Sequence, residues 1–236
     1  MLHHQVYEHK VVGRRGWLRR SLLATGAACG VLGLTAQSAF AATTVALWHM
    51  NEKKGTVMHD SARHHNGTLF NVTLGVPGFR GSTAYGFNGS SSYVSVPSAP
   101  DLNPGRRSLA VTIHLNTTNV PGKGIVWTLI RKGHWGTKGG EWKVKYNHRG
   151  QVACGFRGSG GRFAAVTVGT ALNDGKWHTI RCLKTSSKIE ITVDKATRSR
   201  KAKVGKIANH SPIVLGAYPN GGFFNGSLDE AKIAIG

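Results

Sequence analysis

The sequence predicts an all-β protein in which residues 42–236 form one β-sandwich behind a removable leader. Three observations predict it. Short runs from Thr44 to Ile235 alternate apolar and polar residues with a period of two, as strands with one buried face do. The runs are separated by turn-forming Gly, Asn, Asp and Pro, and the 32 glycines are spread along the chain instead of pooled in a linker. The 195 residues from Ala42 to Gly236 carry no low-complexity tract or internal repeat, a length that suits one all-β sandwich better than two domains.

The leader comes first. Arg14, Arg15, Arg19 and Arg20 precede an apolar run from Leu22 to Leu34, and Ala39-Phe40-Ala41 supplies a small-x-small cleavage site. This is the pattern of a secretory signal peptide over residues 1–41. Arg19-Arg20-Ser21-Leu22-Leu23 also looks like a twin-arginine signal, which would make the protein bacterial and exported already folded; an ordinary Sec signal is the alternative. The run is too short and too rich in Gly and Ala to span a bilayer, and no segment of spanning length follows it. A secreted, extracellular product is therefore expected.

Cysteine usage agrees with export. Cys29 leaves with the leader, and Gly26 stands where lipid attachment to it would need Leu. Cys154 and Cys182 remain, an even count that predicts a disulfide. Closing a loop of about 28 residues stabilises a fold by roughly 3 kcal/mol. Charge is the most unusual feature: residues 42–236 hold 26 Lys and Arg against nine Asp and Glu, a balance of +17. Such an excess favours polyanions, among them teichoic acids, acidic polysaccharides and nucleic acid. A merely solvated basic surface is the alternative.

The elements follow in order. Thr44–Met50 alternates as a first strand, and Asn51–Gly55 turns out of it. A short stretch, Val57–Ser61, leads to Asn66-Gly67-Thr68-Leu69. Ala84–Gly89 and Tyr93–Pro97 read as two strands joined by serines, and Leu109–Leu115 as a long sandwich strand. Thr128–Gly133 and Glu141–Tyr146 flank a glycine-rich loop, and Gln151–Phe156 puts Cys154 at mid-strand. Asp174-Gly175 then feeds a strand in which Trp177, Thr179 and Arg181 alternate with His178, Ile180 and Cys182, and Lys188–Asp194 returns antiparallel to it. Trp177 is expected in the core. Pro212–Ala217 and Phe223–Ile233 close the chain.

The wording of this central hairpin, Asp174-Gly175-Lys176-Trp177-His178-Thr179-Ile180-Arg181-Cys182 with Ile191-Thr192-Val193-Asp194, closely resembles laminin-G-like domains, members of the concanavalin-A-like lectin/glucanase superfamily. The resemblance extends in order from Leu47-Trp48-His49 with Asp60-Ser61, through Phe87-Asn88-Gly89 and Tyr93-Val94-Ser95-Val96-Pro97, to Pro212–Ala217 and Phe224–Ile233. It implies a two-sheet antiparallel jelly roll across residues 42–236. It also implies structural calcium, with Asp60 and Asp229 as ligands, since this hard cation takes carboxylate and carbonyl oxygens together. The alternative for Asp60 is a turn cap. His49, His59, His64 and His65 do not fall at zinc-ligand spacing. This sequence departs from the family at Lys195, where Gly is usual.

Function is expected to be binding. Fold alone does not decide this, because the architecture hosts lectins, adhesion modules and glycosidases. Glycosidases need two carboxylates at a set separation, and family members that cleave glucans carry them as Glu-x-Asp-x-(x)-Glu on one strand. None of the nine acidic residues forms that strand, so no catalytic residue is assigned. Two kinds of ligand remain. An extracellular or cell-wall polysaccharide would stack on Trp135, in the loop His134–Gly140, and on Tyr218, Phe223 and Phe224. Trp135 folded back over a sheet edge is the alternative. A polyanion would meet the densest basic run, Arg198, Arg200, Lys201, Lys203 and Lys206, on a connection with little apolar content. A solvated hairpin is its alternative.

Overall fold

A computed structural model of the chain describes residues 42–217 and 222–236. The expected leader with Arg19, Arg20 and Cys29 lies outside the described residues, as does Tyr218. In chain order the strands are β1 (Thr43–Trp48), β2 (Val57–Met58), β3 (Gly67–Phe70), β4 (Thr73–Pro77), β5 (Thr83–Asn88), β6 (Tyr93–Val96), β7 (Leu109–Asn116) and β8 (Val126–Lys132). They continue as β9 (Glu141–Asn147), β10 (Val152–Arg157), β11 (Phe163–Thr167), β12 (His178–Lys184), β13 (Lys188–Val193), β14 (Ala196–Lys201), β15 (Ile213–Leu215) and β16 (Asn225–Ile235).

Two antiparallel sheets of eight strands form the sandwich expected from the period-two runs. Sheet A runs β14-β13-β12-β7-β16-β5-β4, and β1 pairs the C-terminal half of β16; sheet B runs β11-β10-β9-β8-β15-β6-β3-β2. The core lies between them and is filled by Trp48, Trp142, Tyr85, Phe156, Phe224, Met50 and Met58 with the inward aliphatic residues of both sheets. Burying one such aliphatic or aromatic side chain stabilises the fold by about 1.5–3 kcal/mol.

Two expectations about pairing and one about burial are corrected. The strands at Ala84–Gly89 and Tyr93–Pro97 do not pair with each other: β5 belongs to sheet A and β6 to sheet B. The serines between them cross from layer to layer, and Asn88 Oδ1 holds the crossing by accepting the backbone N–H of Ser90, Ser91 and Ser92. Trp177 is half-buried and not in the core. Parity puts it outward with Thr179 and Arg181, where it meets the edge of Phe79 at 6.4 Å between centroids. Finally, the connection after Asp194 is itself a strand, β14, paired along its whole length with β13. Asp194 makes the turn possible by taking φ +52°, a conformation that Asp tolerates better than most side chains.

The expected disulfide is present between Cys154 and Cys182. It joins β10 of sheet B to β12 of sheet A, so it ties the layers to each other and not neighbouring strands of one sheet. The two Cα atoms are 5.7 Å apart, well inside the ~10 Å that separates packed sheets. The layers are therefore drawn together near the edge formed by β11 and β14.

Candidate functional site at the β11–β14 edge

β14 is an edge strand with every residue exposed. Its register sets Arg198 opposite Ile191 and Arg200 opposite Ile189, so both arginines stand on the face that carries core residues in β13. Because β14 overhangs the end of the core, that face meets solvent and the arginines line the mouth of the sandwich. Across the mouth, Arg200 donates to the Ala165 carbonyl of β11 at 3.3 Å.

Two loops deepen this edge into a groove. The segment 158–162, between β10 and β11, packs on the segment 202–207, with Ser159 N–H donating to the Lys206 carbonyl at 2.8 Å. Gly158 permits the approach, since a Cβ there would lie 1.9 Å from the Val204 carbonyl oxygen. Three adjoining clefts result, of about 520, 280 and 560 Å³, and Arg162 and Lys203 line all three. Arg106, Lys184 and Lys206 line the first, Arg200 and Lys201 the second, and Lys188 and Lys201 the third. Among the described residues, not one that is acidic lines any of them. Lys184 forms the floor: it is buried, donates to the carbonyls of Arg106 and Arg107 at 3.2 and 2.9 Å, and its pKa is lowered by that burial and by the Arg106 charge. A groove lined by Lys and Arg with no carboxylate among its described lining residues carries a positive potential.

At its sheet B end the groove meets aromatic residues. Phe163, which lines the second cleft, is 39% exposed, and Trp135 stands edge-on to it with centroids 6.2 Å apart. Trp135 is 66% exposed, and the Arg157 guanidinium lies 5.6 Å from its ring centroid. The structure thus unites Trp135 with Arg200, Lys201, Lys203 and Lys206 at one end of the molecule. Arg198 is exposed on β14 but lines none of the clefts. Arg162 and Phe163 are absent from the site expected from the sequence, which placed no strand at β11.

Two expected aromatic contacts fall elsewhere. Phe224 is fully buried, edge-on to Trp127 at 5.8 Å, and its backbone is fixed between Gly216 and Gly89. It is a core residue and cannot touch a ligand. Phe223 is half-buried beside it.

Asp60 and Asp229 do not fit calcium. Asp60 Oδ1 accepts the backbone N–H of Leu47 and Ala62 at 2.8 and 2.9 Å, and Oδ2 those of Arg63 and His65 at 3.2 and 3.0 Å. Four donors occupy the lone pairs a cation would need, so Asp60 is the turn cap. Asp229 is wholly buried and accepts from Phe79 N–H, Ser82 O–H and Glu230 N–H. Burial raises its pKa against those bonds. Among the described residues no group of three His, Cys, Asp or Glu side chains could hold a metal ion.

The other carboxylates are engaged as well. Glu52 bonds Tyr85 and His59, Asp101 bonds Arg63 and His65, and Glu141 lies against Lys143 and Arg157. Asp174 and Asp194 share His178, Glu190 pairs with Lys188, and Glu230 with His49.

Two layers of antiparallel strands with a cationic, aromatic-ended groove define a two-sheet β-sandwich of the jelly-roll class. Sequence comparison agrees: residues 88–234 match the model of the Laminin_G_3 family of the concanavalin A-like lectin/glucanases superfamily, and the chain belongs to that family. A curated relative, neurexin 1 of Drosophila melanogaster, is 32% identical over an alignment of 66 residues that covers 26% of this chain and 4% of neurexin. Among solved structures, the binding domain of paraclostridial mosquitocidal protein 1 superposes with TM-score 0.64 at 16% identity, covering 81% of this chain and 48% of that one. Domains LG4-5 of the mouse laminin alpha1 chain superpose with TM-score 0.51 at 21% identity, covering 63% and 40%. The chain therefore spans less than half the length of each of these relatives.

Proposed function

We propose that residues 42–236 are a secreted, non-catalytic carbohydrate-binding module whose ligand is a negatively charged polysaccharide held along the β11–β14 groove. The observation that carries this reading is the groove itself: three joined clefts lined by Lys and Arg, with no carboxylate among the described lining residues, ending on exposed Phe163 and Trp135. Cations that converge on one groove give a linear polyanion several contacts at once, and each contact releases a counterion. Exposed rings at its end offer a face for a pyranose. The engagement of every acidic residue of 42–236 by a cation, a histidine, a hydroxyl or a backbone donor supports binding without hydrolysis. Export follows from the leader pattern of residues 1–41, and the inter-sheet disulfide supports it. The names of the similar structures, binding domain and laminin, accord with this class.

The test is binding to heparin, as a linear sulfated glycan, and to neutral dextran at 50 and 200 mM salt. A complex with about five ionic contacts should weaken roughly 10²–10³-fold over that range, and dextran should bind far more weakly at both. Diffuse attraction by a +17 surface must be separated from a site. The triple change Arg162→Gln, Lys201→Gln, Lys203→Gln is therefore compared with Lys53→Gln, Lys54→Gln, Lys123→Gln, which removes equal charge from exposed positions elsewhere. Loss confined to the first variant supports the groove. Equal loss in both, or binding indifferent to salt, refutes it.

A further inference from the structure

We propose a second ligand site that adjoins the groove at Phe163 and lies on the outer face of sheet B: a trough that takes a single pyranose bearing one negative group. Strand register places it. Lys143 lies opposite Gly155, which lies opposite Ala165; Lys145 lies opposite Ala153, which lies opposite Thr167. On this face two ammonium side chains two residues apart, about 7 Å along β9, stand beside a floor of glycine and alanine. The Phe163 ring covers Gly155, so the room that small residues leave lies over half-buried Ala153, beside Lys145.

Phe163 makes the wall. A Cβ on Gly155 would come within 3.2 Å of the Phe163 ring and 3.4 Å of Lys143 Cγ, so the absence of a side chain at 155 lets the ring and the lysine stem lie over the strand. The Lys143 ammonium is 5.6 Å from the ring centroid. Trp135 stands edge-on behind. A pyranose could therefore lay its C–H face on Phe163 with its charged substituent toward β9.

Charge balance says what that substituent is. Lys143, Lys145 and Arg157 share one carboxylate, Glu141, which is fully buried; Lys143 reaches it at 3.2 Å and Arg157 at 3.7 Å. Lys145, half-buried, makes no ion pair of its own among the described residues; burial and then the Lys143 charge lower its pKa, and Glu141 opposes them. Like charges on neighbouring positions of a sheet repel, and burial makes the repulsion stronger. A carboxylate or sulfate ester beside Lys145 would halve the excess, from two positive charges to one. The site shares Phe163 with the groove, but Lys143 and Lys145, which would meet the charged group, line none of the three clefts.

Amide chemical shifts of the whole chain, titrated with methyl glucuronide, glucose 6-sulfate and neutral methyl glucoside, test it. The expected result is saturable shifts at Lys145, Ala153, Ala165 and Thr167 with one or both charged sugars, and at least tenfold weaker binding of the neutral one. Comparing the two charged sugars tells carboxylate from sulfate. Lys145→Gln should weaken binding about tenfold, and Lys53→Gln, exposed in the connection from β1 to β2 at the opposite edge of sheet B, should not change it. Should Lys145→Gln fail to fold, Ala153→Leu, which fills the trough from a half-buried position, should abolish binding instead. Equal affinity for the neutral glucoside, equal affinity for free sulfate, or shifts confined to the groove would each overturn the proposal.

Discussion

Replacing Asp60 by asparagine separates the two roles this residue could have. The side chains are nearly the same size, but an amide has only one acceptor oxygen. In the native structure Oδ1 holds two backbone N–H groups and Oδ2 two more. Whichever way the new amide turns, two N–H donors face an NH₂ group. Hydrogen bonds to a charged acceptor contribute about 1.5–3 kcal/mol each, so two lost bonds cost about 3 kcal/mol or more. For a domain of this size each kcal/mol moves Tm by about 2–4 °C, which gives a fall of roughly 6–12 °C. Scanning calorimetry with calcium added, and again after a chelator, provides the measurement. A calcium ion held at 100 times its Kd would itself contribute about 2.7 kcal/mol. The turn-cap assignment requires the same fall in both conditions and no effect of chelator on the wild type. A wild-type Tm that drops on chelation, with no such response in Asp60→Asn, refutes it.

Two further outcomes follow from side-chain surroundings. His178 lies between Asp194 and Asp174, at 2.8 and 2.9 Å; burial alone would lower its pKa, but the bonds to the two carboxylates outweigh burial and raise it. A raised native pKa gives stability that is complete below the unfolded value of about 6.5 and disappears as pH rises through the native one. The difference in urea midpoint between wild type and His178→Gln should therefore shrink as pH rises above about 6.5, and a pH-independent difference contradicts the assignment. The same denaturation assay should separate Phe224→Ala, at about 3–5 kcal/mol for an emptied core site, from Trp135→Ala, within about 0.5 kcal/mol for an exposed one; equal costs would place both rings wrongly.

Much of the fold was legible because period-two alternation is local. β7, β12, β13 and the β8–β9 hairpin lie where the alternation put them. Which strand pairs with which is not local. Ala84–Gly89 and Tyr93–Pro97 look like a hairpin because a serine turn joins them, yet Asn88 gathers three N–H groups and sends the chain to the other sheet. β14 escaped notice because its inward positions carry Arg198 and Arg200, which breaks the alternation that marks a strand. Within the site, Trp135 was legible from its glycine surroundings and the basic run from its density. Arg162 and Phe163 were not, since their value comes from the packing of 158–162 on 202–207, and only the folded chain brings those loops together. Phe224 misled for the opposite reason: a loop-like sequence around it conceals a residue locked between Gly216 and Gly89.

The basic edge strand raises a question that its position helps to answer. An unpaired edge invites another chain to add to the sheet, and charged or inward-pointing side chains are a common defence. Arg198, Arg200 and Lys201 on β14 would serve that end without any ligand. Edge protection, however, asks only for charge on the strand itself. Arg162 and Lys203 belong to loops with no exposed ladder to guard, as do Arg106 and Lys206, and Lys184 is buried beneath them with its ammonium bound to carbonyls. Cations gathered from four separate segments repel one another and cost stability that an edge defence does not require. That cost is offset when an anionic chain lies among them, which is why removing equal charge from the groove and from other exposed positions discriminates so sharply between a site and a surface.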